Sequence, residues 1–363
     1  TMETIEVDVE REMEPRVFDP LTTPYELDRE KFPLDGSLEE QFTFLLRYAV
    51  LAPSSHNTQP WKFRLFENGI AVYADYRRRL PVADPNHREL LMGVGAAIMN
   101  LRIAATHFGF ECRVDYNFSG DSEMPIAFVT LNQTLPRKPA AESFEKLFYA
   151  ISKRHTNRHP FLMARVPDAV LTRLWNLGEG SEASLFISTD PKKNSQVAHL
   201  VAKAERLQQA DPEFRKELGE WLRPNKTLKP DGMPGSAFGI SDVASTLAPW
   251  AVKTIDMGGF RAKHDERLCI EAPALCVLYG EDSVPTWLAV GEVVERVLLT
   301  LTRDGLQFSF FNMPIEIPGA RLELQEILGM NSWPQLLLRI GYSLEKPALS
   351  PRRPVEDCIV HTL

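Results

Sequence analysis

At 363 residues the chain is long enough for two domains of ordinary size or one large one. It is 44% hydrophobic and 25% charged, the composition of a soluble globular protein, and its net charge of −8 argues against nucleic acid or an anionic membrane as the main partner. No apolar run approaches the ~20 residues of a membrane span. The four cysteines (Cys112, Cys269, Cys276, Cys358) form no CxxC, which predicts reduced thiols, a cytoplasmic location and no cysteine metal site.

Residues 1–37 are acidic and proline-rich, hold no sustained period, and predict an extended N-terminal arm. Its opening, TMETIEVDVEREMEPR, lacks the apolar core of a signal peptide. LEEQFTFLLRYAVL follows with Phe42, Leu45, Leu46, Ala49 and Val50 at helical spacing, and Pro53 ends that helix. WKFRLFENGIAVYAD reads as two strands around Glu67-Asn68-Gly69, a hairpin signal. HRELLMGVGAAIMNLRIAATHFGF is apolar nearly all round and predicts a long, central helix. Two strands, ECRVDYNF and PIAFVTLN, close this half.

From Glu142 onward the order returns. VPDAVLTRLWNL predicts a helix and EASLFIST a strand; later come the strand APALCVLYG, the helix VPTWLAVGEVVERVLLTLTRDGL, and the strands QFSFFN and QLLLRIGYS. Sliding the long helices together sets Gly95 on Gly291, Gly109 on Gly305 and Phe110 on Leu306, all at an offset of 196 residues. PRKP (Pro136 to Pro139) likewise echoes PRRP (Pro351 to Pro354). The pattern predicts an internal duplication, with repeats at 38–140 and 141–363; the alternative is two unrelated α+β units that happen to match. Where the first half has its hairpin turn, the second has residues 190–271. That insertion carries two amphipathic helices (KKNSQVAHLVAKAERLQQ and DPEFRKELGEWL) and then KTLKPDGMPGSAFGISD, a loop or lid.

Four clusters carry the candidate chemistry. LAPSSHNTQPWKF (Leu51 to Phe63) crowds short polar side chains at a helix exit, and KRHTNRHPF (Lys153 to Phe161) sets Lys153, Arg154 and Arg158 around Thr156. NMPIEIPG (Asn312 to Gly319) and SPRRPVEDCI (Ser350 to Ile359) are the others. Two arginine-bearing segments can clamp a phosphate through charge-assisted, forked hydrogen bonds, helped by a threonine hydroxyl. The Ser-Asn-Gln loop can meet hydroxyls or a heterocycle's edge. Three of the clusters also have a plain reading: a solvated basic turn at Arg154 and Arg158, an ordinary tail at Arg352 and Arg353, helix-exit residues at Ser54, Ser55 and Asn57. Ser55 beside His56 makes no nucleophile pair, because adjacent residues rarely face each other and no acid is placed. His155 and His159 lack a third metal ligand, and no GxGxxG or P-loop occurs.

Together these clusters resemble the FMN-dependent nitroreductase superfamily over residues 40–363. Arg154-His155-Thr156-Asn157-Arg158 matches its R-[RH]-[ST]-x-[KR] phosphate motif, and Ala52 to Trp61 its A-P-S-x-x-N-x-Q-P-W loop. Pro314-Ile315-Glu316 matches its PIE-like segment beside the flavin, and Arg352-Arg353 its basic C-terminal arm. The family glycine after PIE is Ile317 here. The resemblance implies a homodimer in which each site takes its phosphate arms from one subunit and its loop from the other. In this chain the first half has the loop but, in DPLTTPYELDREKF, no arginine cluster. The second half has both arms and PIE, but LWNLGEGSEASLF where its loop should be. One composite site with a dead pseudo-twin is therefore implied, as in the internally duplicated, Acg-like branch, where a single chain forms the pseudo-dimer and a lid lies over the flavin.

The fold so implied is α+β: two tandem nitroreductase-like repeats in an intramolecular pseudo-dimer, with a lid insertion in the second. The implied FMN-binding residues are Pro53, Ser54, Ser55, Asn57 and Gln59, with Trp61 fixing the loop; Arg154, His155, Thr156 and Arg158; Pro314, Ile315 and Glu316; and Arg352 and Arg353. The implied activity is two-electron reduction of nitroaromatic or quinone-like acceptors by NADH or NADPH in a ping-pong cycle, with no catalytic acid identified. An alternative is an FMN-binding or sequestering protein whose lid limits turnover, and a specialised oxidase, dehalogenase or flavin-consuming enzyme is a third. The expected partner is a small-molecule acceptor, with no nucleic acid or membrane, and the chain is a monomeric pseudo-dimer or a homodimer.

Overall fold

The computed structural model describes residues 18–134 and 142–361. The predicted arm at residues 1–17 and the half-end Pro136 to Pro139 lie outside the described residues. The described part of the arm holds short 3-10 turns at Thr23–Tyr25 and Arg29–Lys31.

The first half runs α1 (Leu38–Ala49), β1 (Trp61–Phe66), β2 (Gly69–Ala74), α2 (Arg88–His107), β3 (Phe110–Tyr116) and β4 (Ala127–Gln133). A capping box starts α1: the Ser37 hydroxyl accepts from the Glu40 amide while the Glu40 carboxylate accepts from the Ser37 amide. The strands form an antiparallel sheet in the order β1-β2-β4-β3. β3 and β4 alternate buried with more exposed residues, because the helices cover one face only.

The second half opens with α3 (Glu142–Phe148), α4 (Asp168–Trp175) and β5 (Ser184–Ser188). An excursion follows: α5 (Pro191–Ala210), α6 (Pro212–Trp221), the two-residue strands β6 (Leu222–Arg223) and β7 (Met233–Pro234), α7 (Asp242–Thr254) and α8 (Gly258–Ile270). The chain then completes its sheet through β8 (Ala274–Gly280), α9 (Val284–Arg303), β9 (Gln307–Phe310), α10 (Met313–Glu316), α11 (Pro318–Leu328) and β10 (Trp333–Gly341). The sheet order, β5-β8-β10-β9, is that of the first sheet, and it too is antiparallel.

Unlike the first sheet, this one is covered on both faces. Val293, Val297 and Leu298 of α9 pack with Cys276, Leu278 and Leu338 on one side. Val197, Leu200 and Val201 of α5, Leu268 of α8 and Leu324 of α11 pack with Leu275, Val277 and Leu337 on the other. That explains why β8 and β10 read as nearly continuous apolar runs. Within the insertion, α5 and α8 form a layer on the sheet, residues 230–232 bond to the loop after α1, and α8 also sets Arg261 beside His56 of that loop.

The two halves meet at α2 and α9, which cross at Gly95 and Gly291. A Cβ on Gly95 would lie 2.3 Å from the Leu288 carbonyl oxygen, and one on Gly291 would lie 2.1 Å from that of Met92. Only glycine permits backbones so close. By length and composition α2 is apolar enough to cross a membrane, which the sequence pattern did not anticipate; 83% of that window is buried inside the protein, so it is a core helix here. All four cysteines are free thiols, three of them buried.

Candidate functional site

Residues 51 to 60 leave α1 and pass over the start of α2 into β1. His56, Asn57 and Gln59 have φ of 49, 55 and 51°, three non-glycine residues in the left-handed region within four positions. Each such residue costs on the order of 1 kcal/mol and persists only where surrounding structure holds it. The holding bonds are explicit. The Ser54 hydroxyl accepts from the Gln59 amide at 2.8 Å. Asn57 donates to the carbonyls of Gly232 and Pro351 at 2.9 and 2.8 Å and accepts from Arg352 Nη1 at 2.9 Å. Gln59 donates to the Pro230 carbonyl at 2.8 Å and accepts from the Arg353 amide at 2.9 Å. The loop is thus tied at once to the C-terminal arm and to residues 230–232 of the insertion. Asp231 strengthens the second tie by pairing Arg78 at 3.1 Å and Arg223 at 2.8 Å. Pro53 and Ser54 are half-buried on the same loop, and Trp61 is fully buried at its exit.

The arms of the second half reach this loop of the first. Arg154 Nη2 donates to the Leu51 carbonyl at 3.0 Å, and Arg352 Nη2 donates to those of Leu51 and Ala52, each at 3.2 Å. Both guanidinium groups are almost fully buried, at 2% and 3% exposure, yet the Nε of each has no hydrogen-bond acceptor among the described residues. His155 sits edge-on to Tyr25, and burial together with Arg154 and Arg352 pushes its pKa down to about 3, so the ring is neutral. The neighbouring carboxyl, Glu295 on α9, lies 3.6 Å from Arg154 Nε. Burial lifts it to about 7, although Arg154 pulls the other way. The cluster therefore carries more positive than negative charge in a buried place. Arg353 is spent on the Asp357 carbonyl at 2.7 Å, and Thr156 is half-buried beside the arm.

Arg158 keeps other company. Its guanidinium lies 4.7 Å from the centre of the Phe238 ring, in the insertion, a cation–π contact. Burial and then Arg261 of α8 push it down to about 10. The half-buried His56 faces the same pair and, desolvated, is lowered to about 4.

Pro314 and Ile315 are buried, and Glu316 is half-buried at the end of α10. The Ser55 hydroxyl donates to Glu89 at the start of α2, Glu89 and Glu316 are in hydrogen-bond contact, and Gln208 of α5 donates to Glu316. Four separate segments converge there. Of the residues singled out in the sequence, the structure brings Ser55 and Glu316 into one network. It joins Asn57, Gln59, Arg154, His155, Arg352 and Arg353 in a second, and sets Arg158 apart.

Sequence reasoning missed Glu89, Gln208, Asp231, Arg261 and Glu295. Glu295 did leave a signal: a lone carboxylate among Val293, Val294, Val297 and Leu298 on a buried helix needs a partner. Glu89 left none, because an acidic residue in a first helical turn reads as dipole compensation.

No family model matches the chain. A Mycobacterium tuberculosis protein provisionally named an NAD(P)H nitroreductase is 25% identical over 305 residues, covering 82% of this chain and 84% of its own. Its fellow from the same organism, provisionally named NAD(P)H nitroreductase acg, is 25% identical over 323 residues, covering 86% and 93%. PigM of a Serratia strain, named with the same reserve, is 23% identical over 339 residues, covering 88% and 93%. Among solved structures, the FMN- and NADPH-dependent nitroreductase NfnB of a Sphigopyxis strain aligns at a TM-score of 0.41 and 18% identity, over 60% of this chain and 98% of its own. Motifs and relatives matching over most of their length agree: the chain is similar to the Acg-like proteins of the nitroreductase superfamily.

Proposed function

We propose that this protein is an FMN-dependent oxidoreductase that reduces nitroaromatic or quinone-like acceptors with NADH or NADPH at one composite site. The observation that carries the reading is the buried cation cluster: Arg352 Nε has no acceptor among the described residues, Arg154 Nε has only Glu295 at 3.6 Å, His155 is neutral, and Glu295 is lifted toward neutrality. Net positive charge is costly to bury without an anion. A phosphate monoester fits that donor set, so the residues suit the phosphate end of FMN. The relatives' names support a nicotinamide donor.

In this reading Arg154, His155, Thr156 and Arg352 hold the phosphate, with Arg353 bracing the arm behind them. Pro53, Ser54, Ser55, Asn57 and Gln59 form the wall from the other half. Arg158 and the Pro314-Ile315-Glu316 segment meet the ring system. The flavin, when bound, would supply hydride transfer between nicotinamide and acceptor. The protein's own part is to orient the ring, neutralise the phosphate and exclude water beneath residues 230–238.

We take the halves as a tandem duplication, 38–140 and 141–363, folded into an intramolecular pseudo-dimer with residues 190–271 inserted. The shared sheet order, the facing Gly95 and Gly291, and the left-handed Gly109 and Gly305 after α2 and α9 support this. The decisive measurement is a visible spectrum with flavin quantified per chain, followed by anaerobic NADPH. One FMN per chain that bleaches is expected; two per chain, or a colourless protein that cannot be reconstituted, overturns the reading. Arg154→Ala with Arg158→Ala should release the flavin, whereas charge changes at Asp28 to Lys31 should not.

One observation favours a second reading, flavin sequestration with little turnover. Residues 230–232 are bonded to the loop, and Phe238 covers Arg158. Shortening residues 225–245 separates the two: a jump in flavin reduction by NADPH marks a restraining lid, and loss of flavin marks a wall of the site.

A further inference from the structure

The Glu89–Glu316 contact poses a chemical problem. Two ionised carboxylates are acceptors only and repel, so a contact between them needs a proton held by one. Nothing around the pair removes that need. Glu89 is 5% exposed and its Oε1 has no protein donor; Ser55 and Gln208 each occupy one carboxylate from outside the pair. The charged groups facing it are mixed in sign. Asp84 adds a repelling charge to Glu89; Arg88 acts on both carboxylates but spends hydrogen bonds on Gln335 at 2.9 Å; Arg321 is engaged by Asp282 at 3.0 Å.

We propose that Glu89 and Glu316 share one proton and deliver it to the oxygen of the acceptor reduced at this site. The inference rests on the reading of function above. It adds the acid that the motifs did not identify. The chemistry balances: a quinone receives two electrons and one hydrogen as hydride originating from the reduced nicotinamide, leaving an oxyanion. The carboxyl O–H bond breaks, the proton forms the hydroquinone O–H, and the pair is left as two carboxylates. The Ser55 hydroxyl, bonded to Glu89 and half-buried, is the route by which water restores the proton. Burial and mutual repulsion raise both carboxyls above their ordinary range, which favours retention of the shared proton.

The test uses the full-length protein and Glu89→Gln, which keeps the shape but removes the shared site. Infrared spectra near pH 7 in H2O and D2O should show a protonated-carboxyl band in the parent that the variant lacks. With NADPH as donor, turnover of a simple benzoquinone relative to ferricyanide, which takes electrons without a proton, should fall at least about tenfold in the variant. The parent's ratio should fall as pH rises through the pair's titration, and the variant's should not. A flavin-loaded protein with no such band, or with an unchanged ratio, overturns this inference alone. A protein that takes up no flavin overturns the reading of function, and the proton's destination with it.

Discussion

Gly95 and Gly291 face each other where the two central helices cross, each backbone lying where the other's side chain would be. Because the blocking atoms are the backbone carbonyls of Leu288 and Met92, no rotamer change can relieve a substitution. Gly95→Ala or Gly291→Ala must push α2 and α9 apart, and overpacking of this kind costs about 1–3 kcal/mol or more. Gly319 in α11 is the control: a Cβ there meets nothing within 4 Å, so alanine should be neutral or stabilise by a few tenths of a kcal/mol. Thermal unfolding of the three variants decides. Equal melting temperatures would mean the crossing is not close-packed.

Asn57 joins the loop to two other segments, and its replacement should loosen both. Asn57→Ala loses the donors to Gly232 and Pro351 and the acceptor for Arg352, and it places alanine at a φ of 55°. Buried hydrogen bonds of this sort are worth about 1 kcal/mol each, and an unpaired Arg352 adds to the cost. We expect faster amide exchange at Gly232, whose N–H bonds to the Asn57 carbonyl, and earlier proteolysis in residues 224–232. Asn57→Asp keeps the Arg352 contact and should fall between. Unchanged exchange in both would show that other contacts hold the segment.

How much of this was legible depended on sequence distance. α1, the β1–β2 hairpin, α2 and α9 were visible because each shows its period within one short window. α7 and α8 were not. α7 carries Pro249 in its interior, and α8 opens on Gly258-Gly259 and continues with charges that leave no clear apolar stripe. The loop and arginine arms could be found as motifs. Glu89 and Gln208 could not, since their meaning comes from Glu316, 227 and 108 positions away, respectively. Which part of residues 190–271 covers the sheet was hidden for a related reason. Whether an inserted helix covers a site or a sheet is set by tertiary packing, and α5 and α8 went to the sheet.

Asp231 is the charged part of the tie between insertion and loop. Burial opposes its ionisation, but hydrogen bonds from Arg223 and Arg78 win and hold it below the ordinary carboxyl range. Asp231→Asn removes the charge while keeping the size, leaving two arginines facing each other with less compensation. Destabilisation of about 1–3 kcal/mol is expected. Earlier proteolytic nicking near residues 224–232 should accompany it, and should not appear for Asp115→Asn, whose exposed carboxylate bonds Arg113 within β3.

Glu295 should make the flavin-free protein less stable as the pH rises toward neutral. In the folded chain burial holds it near 7, against 4.5 for the free group, so between those values the folded state keeps a proton that the unfolded state has released. Each pH unit across that window therefore costs up to about 1.4 kcal/mol. His155 acts in the opposite sense. Held near 3, it stays neutral in the fold while the unfolded chain binds a proton below about 6.5, so its contribution is lost as the pH falls. Glu295→Gln removes the first dependence and leaves the second. The melting temperature of the variant minus that of the parent should then climb steadily between pH 5 and about 7. A difference that stays flat would mean that Glu295 is ionised throughout, paired with Arg154 and Arg352. The buried cluster would then be closer to neutral, which would weaken the case for a bound phosphate.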